Sequence, residues 1–516
     1  VPHARVTRIE TNTAREMDGV QAVLTAADIP GEHTHGLVVY DWPTLVGVGE
    51  VVRYGGDAVA LVAAETWELA TQAVARIEVE YEALPVVSDP VKALQADAPS
   101  LHPSGNLLKH IKVRKGDVEQ GLAQAEVVVE DTYYTASQEH AFLEPECSLA
   151  RPLDDGRLEV LVGSQIPYAD REQIARCLGL PPEDVHVRGT LIGGGFGGKE
   201  DIAGQIHAAL LARATGRPVK VLYDRHESLL VHPKRHATQI RVRLGAGRDG
   251  TLLAAETELY GDTGAYASLG DKVMTRATTH SSGPYIVPHV KADCFAVYTN
   301  NPPAGAFRGF GVTQSAFAIE SAMDQLAETL GMDPVELRRQ NALRVGAATN
   351  TGQVLCESVG LVECLDKVDA EMRRLAGPEN PFAARIPEGA PQMRRAWGFA
   401  LAFKNTGLGS GALDQAGAEV ELSTDGSAEV RTASAELGQG LSTVLQMIGA
   451  EELGLPPDRV HVLLSDTDRT PDGGPTTASR QTYVTGNAVR HAAAAMRQAV
   501  ASTLAEKYDC APDEIR

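Results

Sequence analysis

The run Gly193-Gly-Gly-Phe-Gly-Gly-Lys-Glu200 puts five glycines into eight residues. Such a backbone reaches conformations closed to other residues and can bring several N–H groups up to one anion. The run follows an apolar, strand-like stretch over 185–192 and precedes a helical pattern over about 203–212. As a P-loop it has Gly193 and Gly198–Lys199 correctly spaced. Glu200, however, stands where a magnesium-binding Ser or Thr is required, which excludes that reading. As a dinucleotide fingerprint, Gly193, Gly195 and Gly198 satisfy G-x-G-x-x-G, with Asp224 as the acid 26 residues beyond Gly198. A third reading is a glycine loop for another phosphate-bearing cofactor, with Phe196 and Glu200 lining a pocket. The residues alone leave the last two open.

Three further segments carry signals. In Asn300-Asn-Pro-Pro-Ala-Gly-Ala-Phe-Arg-Gly-Phe-Gly311, glycines flank Arg308 and Phe310 and present both at the end of an element. Glu436-Leu-Gly-Gln-Gly-Leu-Ser-Thr443 and Pro475-Thr-Thr-Ala-Ser-Arg-Gln-Thr-Tyr-Val-Thr-Gly-Asn487 are rich in small and hydroxyl residues able to donate to oxyanions. There is also an internal echo. Leu178-Gly-Leu-Pro-Pro-Glu-Asp-Val-His-Val187 recurs as Leu453-Gly-Leu-Pro-Pro-Asp-Arg-Val-His-Val462. Each copy follows a helical stretch that starts just after a glutamine, Gln165 or Gln439, and each enters an apolar strand. Two related halves facing one site are therefore expected.

Composition narrows the class. The 516 residues exceed what one core usually organises. A net charge of −21 would repel nucleic acid and anionic membrane surfaces. No apolar run approaches membrane-spanning length, and no signal-peptide core opens the chain, so a cytoplasmic protein is expected. Six cysteines without a C-x-x-C pair argue against an in-chain iron–sulfur or structural zinc site. A small α/β unit is expected at the start: a strand over 58–63, a helix over 66–75 and a strand over 77–81. A proline-rich linker should cover 84–106, and a second break 377–391. Ile319, Met323, Leu326 and Leu330 predict one buried helical stripe stopped by Gly331, followed by an Asp333/Pro334/Glu336 capping box.

Together these segments resemble the molybdenum hydroxylases, the family of xanthine dehydrogenases and aldehyde oxidoreductases. Pro2-His-Ala and Tyr54-Gly-Gly-Asp-Ala-Val-Ala-Leu-Val-Ala-Ala-Glu-Thr look like the family's hammerhead domain. His140-Ala-Phe-Leu-Glu-Pro-Glu146 and the four motifs look like its molybdopterin-binding domains. The resemblance implies an α+β chain: an α/β hammerhead domain over 1–95, then two related mixed α/β molybdopterin-binding domains over 105–376 and 390–516. It also resolves the glycine loop in favour of molybdopterin, as the mononucleotide or the cytosine dinucleotide. FAD and 2Fe-2S centres would lie on partner chains or other segments of an oligomer.

The resemblance further implies residue roles. Gln165, Phe196, Gly197 and Arg308 would sit beside the metal, with Gly195 in the same loop. Gly438, Gln439, Gly440, Ala478, Ser479 and Gln481 would hold the pterin and its phosphate. The protein would supply no direct metal ligand. Glu200 and Arg276, the latter 32 residues before Arg308, match positions where xanthine dehydrogenases contact purine, and Phe310 would stack on a planar ring. Hydroxylation of a purine-like N-heterocycle, with water as oxygen source, is therefore expected. An aldehyde or aromatic acyl-CoA substrate (as in 4-hydroxybenzoyl-CoA reductase) is the alternative. An NAD-dependent dehydrogenase and a non-catalytic relative are more distant ones. Two departures stand out. Asn405-Thr-Gly-Leu-Gly-Ser-Gly411 is glycine-rich where many xanthine enzymes place a second phenylalanine. No Gly-Glu motif matches the family's general base, so a fragment, or one piece of a split enzyme without turnover of its own, is expected.

Overall fold

The computed structural model describes residues 1–516 except 379, 388, 410 and 516. The echo in the sequence is a β-α-β unit built twice. In the first copy, strand Leu158–Val162 leads through helix Pro167–Leu178 to strand Val185–Gly189. The two strands pair in parallel from Leu158↔Val185 to Val162↔Gly189. In the second, Ala428–Thr432, Leu441–Leu453 and Val460–Leu464 repeat the path, paired from Ala428↔Val460 to Thr432↔Leu464. Gly179 and Gly454 end the two helices at φ +63° and +72°, a left-handed cap that glycine adopts without strain. The prolines that follow cannot extend a helix. Each unit has an antiparallel outer neighbour, Cys147–Pro152 in one and Glu419–Leu422 in the other. Helix Gln205–Thr215 covers the first unit and Gly486–Tyr508 the second.

The units meet at equivalent strand ends. Gly189 N donates to Ser465 O at 2.6 Å, and Thr467 N donates to Val187 O at 3.0 Å. His186 Nε2 bonds Asp466 Oδ1 at 2.8 Å. A Cβ at Gly189 would fall on the Ser465 side chain, so only glycine lets the two sheets close on each other here.

A five-stranded sheet adjoins the first unit, in the order Leu107–Lys115, His289–Tyr298, Leu252–Gly264, Thr238–Ala246, Val127–Thr135. Helices Gly270–Thr279 and Val312–Leu330 pack on it. Ile319, Met323 and Leu326 are buried as their spacing predicts, and Leu330 is half-buried. Asp333 accepts N–H bonds from Val335 and Glu336 at the head of Pro334–Asn341. The capping box is not completed: Glu336 turns to Arg339, one turn along the same helix, instead of back to the Asp333 amide.

The leading unit pairs Ala4–Glu10 with Val51–Val52 and Glu78–Ala83, and Val20–Thr25 with Ala60–Ala64. Thr66 caps its helix Trp67–Val74. Ile29, Leu45 and Leu61 join the core of the first repeat. The expected linker over 84–106 is a packed strap. Asn106 bonds Leu101 N, Ala93 O and Pro99 O, and Asn300 Oδ1 accepts from Val87 N. Its prolines leave one short helix, Pro90–Ala93, capped by Asp89, and elsewhere side-chain amides satisfy the backbone and let it bury Val87 and Leu101. The second break is irregular around an Arg385↔Arg395 bridge, and its Glu379 and Glu388 lie outside the described residues. The six cysteines are unpaired. No helix among the described residues is long and apolar enough to cross a membrane. The architecture is α+β.

Gly189→Ala is expected to lower stability by about 1–3 kcal/mol, the usual cost of overpacking a tight contact. Urea unfolding followed by circular dichroism checks this, and an unchanged midpoint would show that the join tolerates separation.

Candidate functional site

Gln165 lies between the strand Leu158–Val162 and the helix it feeds, and is 2% exposed. Its Nε2 donates to Thr476 O at 2.7 Å and to Glu200 Oε1 at 3.2 Å. Its Oε1 accepts from Gly197 N at 3.1 Å. Its main chain bonds Lys199 O and Thr476 N, each at 2.9 Å. One buried amide thus joins the 193–200 loop of the first half to the 475–478 turn of the second. A Cβ at Gly195 would stand 2.6 Å from Gln165 Oε1 and 3.4 Å from Leu437 Cδ2. The two glycine loops are therefore neighbours.

Phe196, Phe310, Ala478 and Ser479 all take left-handed backbone angles (φ 55°, 51°, 53° and 56°). Each costs on the order of 1–3 kcal/mol and persists only where the surroundings enforce it. Arg308 N donates to Phe196 O at 2.8 Å, which ties the 300–311 segment to the 193–200 loop. The Arg308 guanidinium is exposed and has no hydrogen-bond or ion-pair partner among the described residues. Behind these loops the His140 ring stacks on Phe307 at 4.1 Å and its Nε2 bonds Ala306 O at 2.8 Å. Glu139, His140 and His232 come close enough to suggest a metal site. Lys234 Nζ, 2.6 Å from Glu139, already supplies the cation, so the cluster acts as a buttress.

In the 436–443 loop, Gly438 and Gly440 (φ 95° and 83°) have nothing within 4 Å of where a Cβ would lie. Gln439 is exposed, with Nε2 on Ala435 O at 2.9 Å. Glu436, not singled out from the sequence, accepts N–H bonds from Gly438, Gly440 and Ser442 at 2.7, 3.0 and 2.9 Å. Burial works against its charge, but these donors at the head of helix Leu441–Leu453 hold its pKa below the usual carboxylate range. An acid directly ahead of a glycine pair and a helix was the signal. Gln481 departs from its expected place. It is buried, its Oε1 accepts from Ser434 and Thr485, and its Nε2 donates to Pro475 O and Thr476 Oγ1. Its Nε2 supports the 475–476 turn and its Oε1 is taken up by Ser434 and Thr485, which leaves no side-chain bonding capacity for a ligand.

A cavity of about 360 Å³ opens beside the Gln165 junction, lined by Glu200, Arg276, Phe310, Leu408 and Ala478 among others. Glu200 is 4% exposed. Burial pushes its pKa up to about 8 against hydrogen bonds from Thr477 and Gln165, so at neutral pH it is a carboxylic acid able to donate. Arg276 lies over the Phe310 ring, 5.1 Å from its centroid, and its Nη2 donates to Gly407 O and Leu408 O. Its Nη1 is buried without a partner. The glycine-rich stretch 405–411 thus forms a wall of this cavity, with Ser410 outside the described residues.

The dinucleotide fingerprint does not survive. The helix it should open begins at Gln205, seven residues after Gly198, and Asp224 caps its own helix Arg225–Val231. The loops suit a different group. They offer backbone amides, and those of Phe196, Ala478 and Ser479 donate to no acceptor among the described residues. They offer amide side chains and no clustered metal ligands, which fits a cofactor that carries its metal on its own ligands.

Residues 101–342 and 371–516 each match the molybdopterin cofactor-binding domain. Residues 1–85 match the aldehyde oxidase and xanthine dehydrogenase a/b hammerhead domain. The chain is 45% identical over 381 residues to the nicotinate dehydrogenase large molybdopterin subunit of Eubacterium barkeri, covering 73% of this chain and 89% of that one. It is 38% identical over 489 residues to a probable xanthine dehydrogenase subunit of Bacillus subtilis, covering 95% of this chain and 64% of that one. Aldehyde oxidoreductase from Desulfovibrio gigas superposes with a TM-score of 0.87 at 31% identity, over 97% of this chain and 55% of that one. With its hammerhead unit and its two molybdopterin cofactor-binding domains, the chain belongs to the molybdenum hydroxylase family.

Proposed function

We propose that this chain binds a molybdopterin cofactor between the loops at 193–198 and 438–440 and belongs to an enzyme that hydroxylates a purine-like N-heterocycle. The observation that carries the reading is the convergence of Glu200, Arg276, Phe310 and Ala478, from separate segments, on one cavity beside Gln165. When bound, the cofactor supplies the two-electron oxidation and the water-derived oxygen. Electrons would pass on to iron–sulfur and flavin centres in partner chains or other segments. Gln165, Phe196, Gly197 and Arg308 would face the metal end. Gly438, Gln439 and Gly440, with Ala478 and Ser479, would take the pterin and its phosphate.

The cavity residues account for the substrate class. Phe310, held in a strained conformation and backed by Arg276, offers a flat apolar face to a ring. Arg276 stabilises negative charge that develops on a ring oxygen or nitrogen, an effect on the order of 3 kcal/mol for a preorganised donor. Glu200, kept protonated by burial, donates to a ring acceptor on the opposite edge. An aldehyde needs neither edge. The similarity to proteins named for xanthine and nicotinate supports a heterocycle. Oxidation of an aldehyde or aromatic acyl-CoA is the second reading, favoured by apolar lining residues such as Val38, Leu269 and Leu408.

Two outcomes test this. In the molybdenum-loaded holoenzyme, kcat/KM for the heterocycle should fall as pH rises through about 8, when Glu200 loses its proton. Glu200→Gln keeps the donor and should lose that alkaline limb; a limb that persists in the variant contradicts the assignment. The same group bears on stability. Its folded pKa lies above its unfolded value of 4.5, so the folded state binds more protons between pH 4.5 and about 8, and stability falls as pH rises across that window. Denaturant unfolding of wild type and Glu200→Gln should diverge there, with a slope approaching about 1.4 kcal/mol per pH unit. Parallel curves would show that Glu200 is ionised at neutral pH.

A further inference from the structure

A second, larger cavity of about 550 Å³ lies behind the first, and the two share Lys272, Arg276, Leu408 and Gly409 as a common wall. Their linings differ. The first holds mostly apolar residues with Glu200 and Asp472. The second holds Lys272, Arg276, Lys404 and His280 with the hydroxyls of Thr275, Thr279, Thr349 and Thr351, and no aspartate or glutamate. Three cations around an acid-free chamber are unexpected in a chain of net charge −21. Of the nearby acids, Asp414 is engaged with Arg480 and Leu408 N, while Asp271 pairs with Lys272 from outside the lining and balances that one cation, which leaves Arg276 and Lys404 without a carboxylate partner among the described residues. Lys404 Nζ donates only to Asn405 O and has no carboxylate partner among the described residues.

Two of the lining residues are more than nine-tenths buried and carry unused polar atoms. Arg276, 6% exposed, has Nη1 without a partner, and His280, 7% exposed, has Nε2 without one. An unpaired buried guanidinium nitrogen costs more than a satisfied one, so such a site is built for a ligand that completes it. Oxyanions do so best, by charge-assisted bonds to guanidinium, ammonium and hydroxyl donors. The His280 ring bonds Arg276 O through Nδ1. Burial keeps that ring neutral, with its pKa pushed down to about 4, so Nε2 offers an acceptor to an N–H or O–H on the same ligand. Gly409, at φ +68° with a Cβ position 3.3 Å from Asn405 Nδ2 and 3.4 Å from Arg276 Nη2, lets the wall shared by the two cavities pack closely on Arg276.

We propose that the second cavity is an oxyanion subsite that receives a carboxylate or phosphate borne by the heteroaromatic substrate, with Arg276 shared between ring and anion. This rests on the heterocycle reading above and narrows its substrate class. Nicotinate and nicotinamide, equal in ring and size and different in charge, are titrated calorimetrically into the holoenzyme. Nicotinate should bind at least about tenfold more tightly. Lys404→Glu, a change at an exposed side chain, should weaken nicotinate about tenfold and leave nicotinamide unchanged, with Lys404→Gln intermediate. Equal affinity in the wild type, or equal weakening of both ligands in the variants, would overturn the subsite. Binding of inorganic phosphate without any advantage for nicotinate would show a free anion there and overturn the substrate-borne form. Turnover is read separately. If hypoxanthine and both pyridines are inert while the charge preference in binding persists, the hydroxylation reading fails and the subsite stands.

Discussion

A buried carboxamide, with the strand-end bonds beside it, holds the two halves of this molecule in register. Gln165 accepts from Gly197 in the first glycine loop and donates to the Thr476 carbonyl in the second half, within one side chain's reach. Neither loop has regular structure of its own to fix its place, so the spacing between them depends on this amide and on the strand-end bonds from Gly189 to Ser465. The Gln165–Thr476 bond is buried and the others are at least half-buried, where an unmade hydrogen bond is costly, which makes the junction specific. The β-α-β repeat explains why the junction exists: equivalent ends of equivalent strands meet, and the space they leave is bounded on both sides by glycine turns.

The same geometry concentrates strain. Phe196, Phe310, Ala478 and Ser479 sit in backbone conformations that the remainder of the described chain reserves largely for glycine. They are held there by bonds such as Arg308 N to Phe196 O and by the His140–Phe307 stack behind. Rigid presentation of main-chain amides and of one aromatic face follows from that arrangement. Within the cavity, burial sets the protonation of Glu200 and leaves part of Arg276 unpaired, so charge and hydrogen-bonding capacity are poised before any ligand arrives.

Much of this was legible in the residues. The Leu-Gly-Leu-Pro-Pro echo gave the repeat because a left-handed glycine cap and a proline stop leave a local signature. The Ile319–Leu330 stripe gave its helix because a buried face imposes a 3.6-residue period. Glu200, Arg276 and Phe310 were reachable through their motifs, and the cavity brings them together. What was missed lies in tertiary bonding. Asn106 turns the 84–106 stretch from linker to packed strap, and Gln481 turns inward to prop a neighbouring turn. Glu336 prefers Arg339 to its own cap. The acid-free second cavity assembles Lys272, Thr349 and Lys404 from three distant segments, and no spacing rule announces such a meeting.

The central claim is that one prosthetic group bridges the glycine turns at 193–198 and 438–440, across the Gln165 junction. A crystal structure of the molybdenum-loaded holoenzyme tests it most directly. The account predicts a single cofactor with atoms within hydrogen-bond distance of main-chain amides in both turns. A cofactor that touches one turn alone, or that lies outside the cleft between them, would contradict it.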